Sequence, residues 1–144
     1  MKMLVACLLW LSVVPAEWLS NMDAAREIAT RENKYILLNF SGSDWCAPCI
    51  KMKKEVFENA GFVSLADEKL VLVRADFPRS KKNQLSKEQV QLNEALAEKY
   101  NPSGKFPFTV LLDANGKVVR QWDGYTFESQ DKFIAELTKT LSGQ

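Results

Sequence analysis

Two cysteines stand three positions apart in Trp45-Cys46-Ala47-Pro48-Cys49, directly behind a tryptophan and ahead of a run rich in lysine and apolar residues. A thiol reacts as its thiolate, and the partial positive charge at a helix N-terminus is one way to favour that form. If the helix begins at Cys46, Cys49 lies one turn on and can reach back to the Cys46 sulfur. Cys49 then resolves a mixed disulfide formed by Cys46. Pro48 suits the first turn, where its missing N–H breaks no intrahelical bond.

The same pair could hold a metal or staple the fold. Zinc takes four nitrogen or sulfur ligands, and the chain has no histidine and only three cysteines, of which Cys7 lies far from the motif. Copper(I) is content with two thiolates and stays open. Met52 is then the only further ligand nearby. The lack of histidine removes Cys–His nucleophilic catalysis, and Ile50 after Cys49 is incompatible with c-type haem attachment. Small domains stapled by disulfides carry several pairs, so a single pair points to reactivity. No cofactor is expected.

The elements that must position the motif are legible around it. Asn39 and Phe40 close the apolar run YILLNF, 35–40, whose continuity suits a parallel strand covered on both faces. From Cys46 to about 59, Ile50, Met52, Lys53, Val56 and Phe57 give a helix with one apolar and one basic face. LVLVRADF, 70–77, reads as a second buried strand, joined to the first by a right-handed crossover. Ser20 and Asp23 predict a capped helix over about 21–32. Val90, Leu92, Leu96 and Ala97 predict another over 86–100. Strands at 107–113 and 117–124 flank Ala114-Asn115-Gly116, a hairpin signal because Asn and Gly tolerate positive φ. Phe133, Ile134, Leu137 and Leu141 place an amphipathic helix at the end. The charged stretch Arg79-Ser80-Lys81-Lys82 is expected to be a solvated turn.

The 144 residues, 47% hydrophobic and 26% charged, suit one globular domain. Lys2, the apolar run Met3–Val14 and Val14-Pro15-Ala16 resemble a secretory signal over residues 1–16. Cleavage is expected after Ala16, leaving a domain over 17–144. The apolar run falls short of the ~18–20 residues of a spanning helix, so no stable membrane span is expected after cleavage. An anchor, or lipidation at Cys7 within Leu4-Val5-Ala6-Cys7, is the alternative fate of this segment. Without Lys2 the 18 acidic residues are matched by as many basic ones, a balance that gives no support to nucleic acid as a partner.

Trp45-Cys46-Ala47-Pro48-Cys49 between strand and helix, with Phe106-Pro107-Phe108-Thr109 about 60 residues later and Asp113-Ala114-Asn115-Gly116-Lys117 behind it, resembles the thioredoxin superfamily. GSDWC and LVRADFPR are similar to exported thioredoxin-like proteins of bacterial envelopes. The resemblance implies an α/β thioredoxin fold, a four-stranded mixed sheet sandwiched by helices. It implies Cys46 as nucleophile, Cys49 as resolver, Ala47 and Pro48 as the motif's inner dipeptide, and Pro107 in a cis peptide beside them. Phe106 would pair its backbone with an extended substrate, and Trp45 would cover the disulfide.

The expected activity is that of a monomeric thiol–disulfide oxidoreductase, periplasmic or otherwise exported, which reduces or isomerises protein disulfides. Its expected partners are protein substrates carrying disulfides or thiols and a redox protein that recharges the site. The alternatives are a copper(I) chaperone on the same fold and a thiol oxidase. One departure stands out: thioredoxins bury an acid beneath the resolving cysteine, and here that position falls on Asn39 or Phe40. Asp76 and Glu55 are the candidate substitutes.

Overall fold

The computed structural model describes residues 16–143. The proposed signal segment, apart from Ala16, and Cys7 with it, lies outside the described residues.

Five strands form one mixed sheet in the order β1-β3-β2-β4-β5, with β1 at Trp18–Leu19, β2 at Tyr35–Ser41, β3 at Leu70–Asp76, β4 at Phe108–Leu112 and β5 at Val118–Asp123. β3 runs parallel to β1 and β2; β4 runs antiparallel to β2 and β5. The resemblance implied four strands. The additional β1 is a two-residue edge strand, Trp18 opposite Leu72 and Leu19 opposite Val73, and two residues are too few to show an alternating pattern.

Among the described residues five α-helices cover the sheet: α1 at Met22–Glu32, α2 at Ala47–Met52, α3 at Ala60–Lys69, α4 at Lys87–Tyr100 and α5 at Gln130–Ser142. Alternation along the strands divides the core. Ile36, Leu38 and Phe40 of β2 join Val71, Val73 and Ala75 of β3, Val110 and Leu112 of β4, Ala25 and Ala29 of α1, and Tyr100 of α4. On the other face Leu37, Leu72 and Leu111 meet Met52 of α2, Phe62 and Ala66 of α3, and Phe133 and Leu137 of α5. α2 therefore lies on the second face.

Two expected boundaries change. α1 is capped by Asn21, whose side chain accepts from the N–H of Ala24 at 3.0 Å, and not by Ser20. The helix expected from Cys46 to about 59 instead comprises α2 and a π-helical turn over Lys53–Phe57, closed by the Glu58 N–H on the Lys53 carbonyl at 3.0 Å. Asn59 then caps α3, accepting from the N–H of Gly61 at 2.9 Å. α3 buries only Phe62 and Ala66, one turn apart, a stripe too narrow to stand out from the sequence.

Candidate active site

Cys46 is the N-cap of α2, in extended conformation, and its sulfur accepts from the Cys49 N–H at 3.3 Å. Ala47 and Pro48 occupy the first turn. The two cysteines form a disulfide with Cα atoms 5.2 Å apart. In this oxidised state both are buried, 5% and 4% exposed, so exposure does not distinguish them. They differ in position: the Cys46 sulfur sits at the amide end of the helix.

The Phe106–Pro107 peptide is cis, as the resemblance implied. Asn101 shapes the approach, its side chain accepting from the Lys105 N–H at 3.0 Å and donating to the Lys105 carbonyl at 2.9 Å. The Pro107 carbonyl accepts from the Gly124 N–H at 2.9 Å. Among the described residues, neither backbone group of Phe106 has a hydrogen-bond partner. Its ring lies edge-on to Trp45 and to Phe77, with centroids 5.4 and 5.5 Å away.

Trp45 is held on three sides. Its indole N–H donates to the Phe77 carbonyl at 2.8 Å, Phe106 meets its edge, and the Arg79 guanidinium stacks over its face, 3.7 Å from the ring centroid. Gly42 lies against the indole so closely that a Cβ there would overlap Trp45 Cε2. A stacked guanidinium of this kind contributes on the order of 0.5–1 kcal/mol at an exposed site.

Sequence reading missed the anchor of this arrangement. Asp44 accepts from the N–H groups of Arg79 and Ser80, each at 2.9 Å, and from the Asn83 amide at 3.0 Å. The Arg79 N–H first, then the Asn83 side chain and the Ser80 N–H, hold its carboxyl below the ordinary aspartate range. The stretch expected to be a solvated turn is thus clasped against the residues before Cys46. The sole sequence hint was Asp44 standing two positions before Cys46.

Beneath α2, Asn39 is 3% exposed and donates to the Thr109 hydroxyl at 3.0 Å. The two proposed substitutes for a buried acid are engaged elsewhere. Asp76 accepts from the Ser43 N–H at 2.9 Å and from the Ser43 hydroxyl. Glu55 accepts from the Tyr125 hydroxyl, and burial together with that bond pushes the tyrosine above its ordinary range. Met52, the further copper ligand considered, is 1% exposed in the core. Trp122 packs on Phe133 and donates to Glu136.

Residues 22–141 match the thioredoxin-like domain family. The chain belongs to that family. It is 40% identical over 101 residues to the disulfide bond reductase DsbH of Chlamydia pneumoniae, over 70% of this chain and 58% of that protein. It is 32% identical over 124 residues to the thioredoxin-related protein DsbJ of the same organism, over 78% of this chain and 34% of that protein. The matches thus span between about a third and three fifths of these relatives' lengths. The solved structure of a DsbH oxidoreductase superposes with a TM-score of 0.79 at 27% identity, covering 100% of this chain and 96% of that one. As a thioredoxin-like domain, the chain carries its disulfide at the start of the helix after the first long strand, as the motif implied. No helix among the described residues is long and apolar enough to cross a membrane.

Proposed function

We propose that the chain is an exported thiol–disulfide oxidoreductase that reduces or isomerises protein disulfides through Cys46 and Cys49. The observation that carries this reading is the Cys46–Cys49 disulfide at the cap of α2 in a thioredoxin-like domain. The resemblance to a named disulfide bond reductase supports the same direction.

The reaction starts from the reduced pair. The Cys46 thiolate attacks a substrate disulfide, forms a mixed disulfide and releases one substrate thiolate. Cys49 loses its proton and attacks the Cys46 sulfur, which forms the Cys46–Cys49 bond and releases the second substrate thiolate. Two electrons pass to the substrate, and a dithiol protein restores the pair. In isomerisation, a substrate thiol attacks the mixed disulfide and expels Cys46. Phe106 offers its free backbone N–H and carbonyl to an extended substrate segment, as in strand addition, while Trp45 supplies an apolar surface beside the sulfur.

Reduction is favoured over oxidation by the inner dipeptide. The side chains of Ala47 and Pro48 add neither charge nor hydrogen-bond donor to hold the Cys46 thiolate, so the reduced form is stabilised by the helix terminus alone. Equilibration of the pair with glutathione buffers tests this, with a potential expected nearer ~−270 mV than ~−120 mV. A value above about −150 mV, more oxidising than typical isomerases, would make the protein a thiol oxidase. Insulin reduction by the dithiol form checks activity, and metal analysis with a Cys46→Ser control tests the copper alternative. N-terminal sequencing of the native protein tests export: a mature end at or near Glu17 is expected, and recovery of Met1 on a cytoplasmic protein would overturn it.

A further inference from the structure

The segment after β3 carries Arg79, Lys81 and Lys82, all exposed, and Arg79 lies on the indole next to Cys46. We propose that these cations form a selectivity rim for substrates whose reacting cysteine is flanked by aspartate or glutamate. The inference rests on the oxidoreductase reading of Cys46 and Cys49 and names the substrate class of that site.

The rim is fixed rather than floating. At its start, the Phe77 N–H donates to the Ser41 carbonyl at 2.9 Å and the Phe77 carbonyl receives the Trp45 indole N–H. Through its middle, Asp44 holds Arg79, Ser80 and Asn83. The Gln84 side chain donates back to the Ser80 carbonyl at 3.1 Å. The backbone that carries the cations is thus held in place, so binding does not bear the entropy cost of ordering a free loop.

Their charges are unspent. Among the described residues no carboxylate forms an ion pair with Arg79, Lys81 or Lys82, nor with Lys51 or Lys54 after Cys49. Asp44, which clasps this segment, and Asp76, which ends β3, are half-buried; Asp44 is bonded to the Arg79 and Ser80 N–H groups and the Asn83 amide, and Asp76 to Ser43. Stacking on Trp45 engages the face of the Arg79 guanidinium and leaves its N–H edge for a planar carboxylate, which such a group binds in bidentate fashion.

Geometry connects rim and substrate. The Phe106 ring meets the edge of Trp45 and Arg79 lies on that indole, so a segment paired with the Phe106 backbone has the guanidinium one side chain away. A carboxylate within a residue or two of the reacting cysteine meets the guanidinium there.

The test uses two disulfide-linked peptides identical except for Glu or Lys on both sides of the cysteine. They are offered to the reduced protein at about 0.01 M and at 0.15 M ionic strength, where the Debye length is ~30 and ~8 Å. The acidic peptide is expected to have a roughly tenfold higher kcat/KM at low salt, a modest steering effect, with the ratio shrinking at the higher salt. R79Q should narrow the ratio, and R79E combined with K82E should invert it, which a merely structural role would not do. A readout that needs no turnover is the Trp45 indole N–H resonance of the oxidised protein, titrated with Cys→Ser versions of both peptides. A response to the acidic peptide alone supports the rim, and equal responses or none overturn it. Equal kcat/KM for the two peptides overturns the rim and leaves the oxidoreductase reading intact. Selective binding of the acidic peptide, with no reduction of neutral hydroxyethyl disulfide, overturns that reading and supports the rim as a recognition surface.

Discussion

Asn39 donates its side-chain amide to the Thr109 hydroxyl at 3.0 Å, across the central pair β2 and β4 and on the face that α2 covers. The acid that thioredoxins bury beneath the resolving cysteine is here a neutral hydrogen-bonded pair. Asp76 and Glu55, the two candidate substitutes, are bonded to Ser43 and to Tyr125.

Thr109→Val, close in volume but without the hydroxyl, leaves the buried Asn39 amide unpaired. A loss of about 1–3 kcal/mol of stability is expected, measured by urea denaturation with unchanged slope. Asn39→Asp restores the acid, whose pKa burial raises above the unfolded value of about 3.9. The folded state then holds its proton longer than the unfolded one, so this variant loses stability relative to the native chain as pH rises from below ~4 through that raised value. A penalty that grows as pH falls would contradict the assignment.

The Asp44 clasp titrates with the opposite sign. Its folded pKa lies below the ordinary value, chiefly through the Arg79 N–H, so its contribution is fully present above ~3.9 and is lost as pH falls through the folded value. The stability difference between the native chain and Asp44→Asn should be largest near neutrality and shrink in acid. A constant difference across that range would mean the carboxylate charge plays no part.

Gly42→Ala forces a methyl group into the space of the Trp45 ring. Displacement of the indole should cost about 1–3 kcal/mol and change the fluorescence of that residue. An unchanged emission spectrum and denaturation midpoint would show that the contact has room to give.

In the reduced protein, Cys46 should be alkylated before Cys49 at neutral pH, since its sulfur caps α2. Cys49→Ala should accumulate mixed disulfides through Cys46, and Cys46→Ala should accumulate none. Faster labelling of Cys49 would reverse the two roles.

Much of this arrangement is legible from local pattern. The nearly continuous apolar runs at 35–40 and 70–77 became β2 and β3 because a strand covered on both faces is apolar at most positions. The hairpin at Asn115-Gly116 formed because Gly116 takes a φ of 83°, and the Cys46–Cys49 spacing put both sulfurs within bonding reach. Tertiary structure decided the rest, because it depends on which distant backbone arrives alongside. β1 exists only because β3 offers it an edge. Arg79 looked like part of a solvated turn because nothing in its neighbours reveals Asp44, 35 residues earlier. Periodicity records whether a residue is buried. Which partner meets a hydrogen-bonding group or a charge is set by the chain crossings of the sheet, and those bring the loop after β3 against the loop after β2.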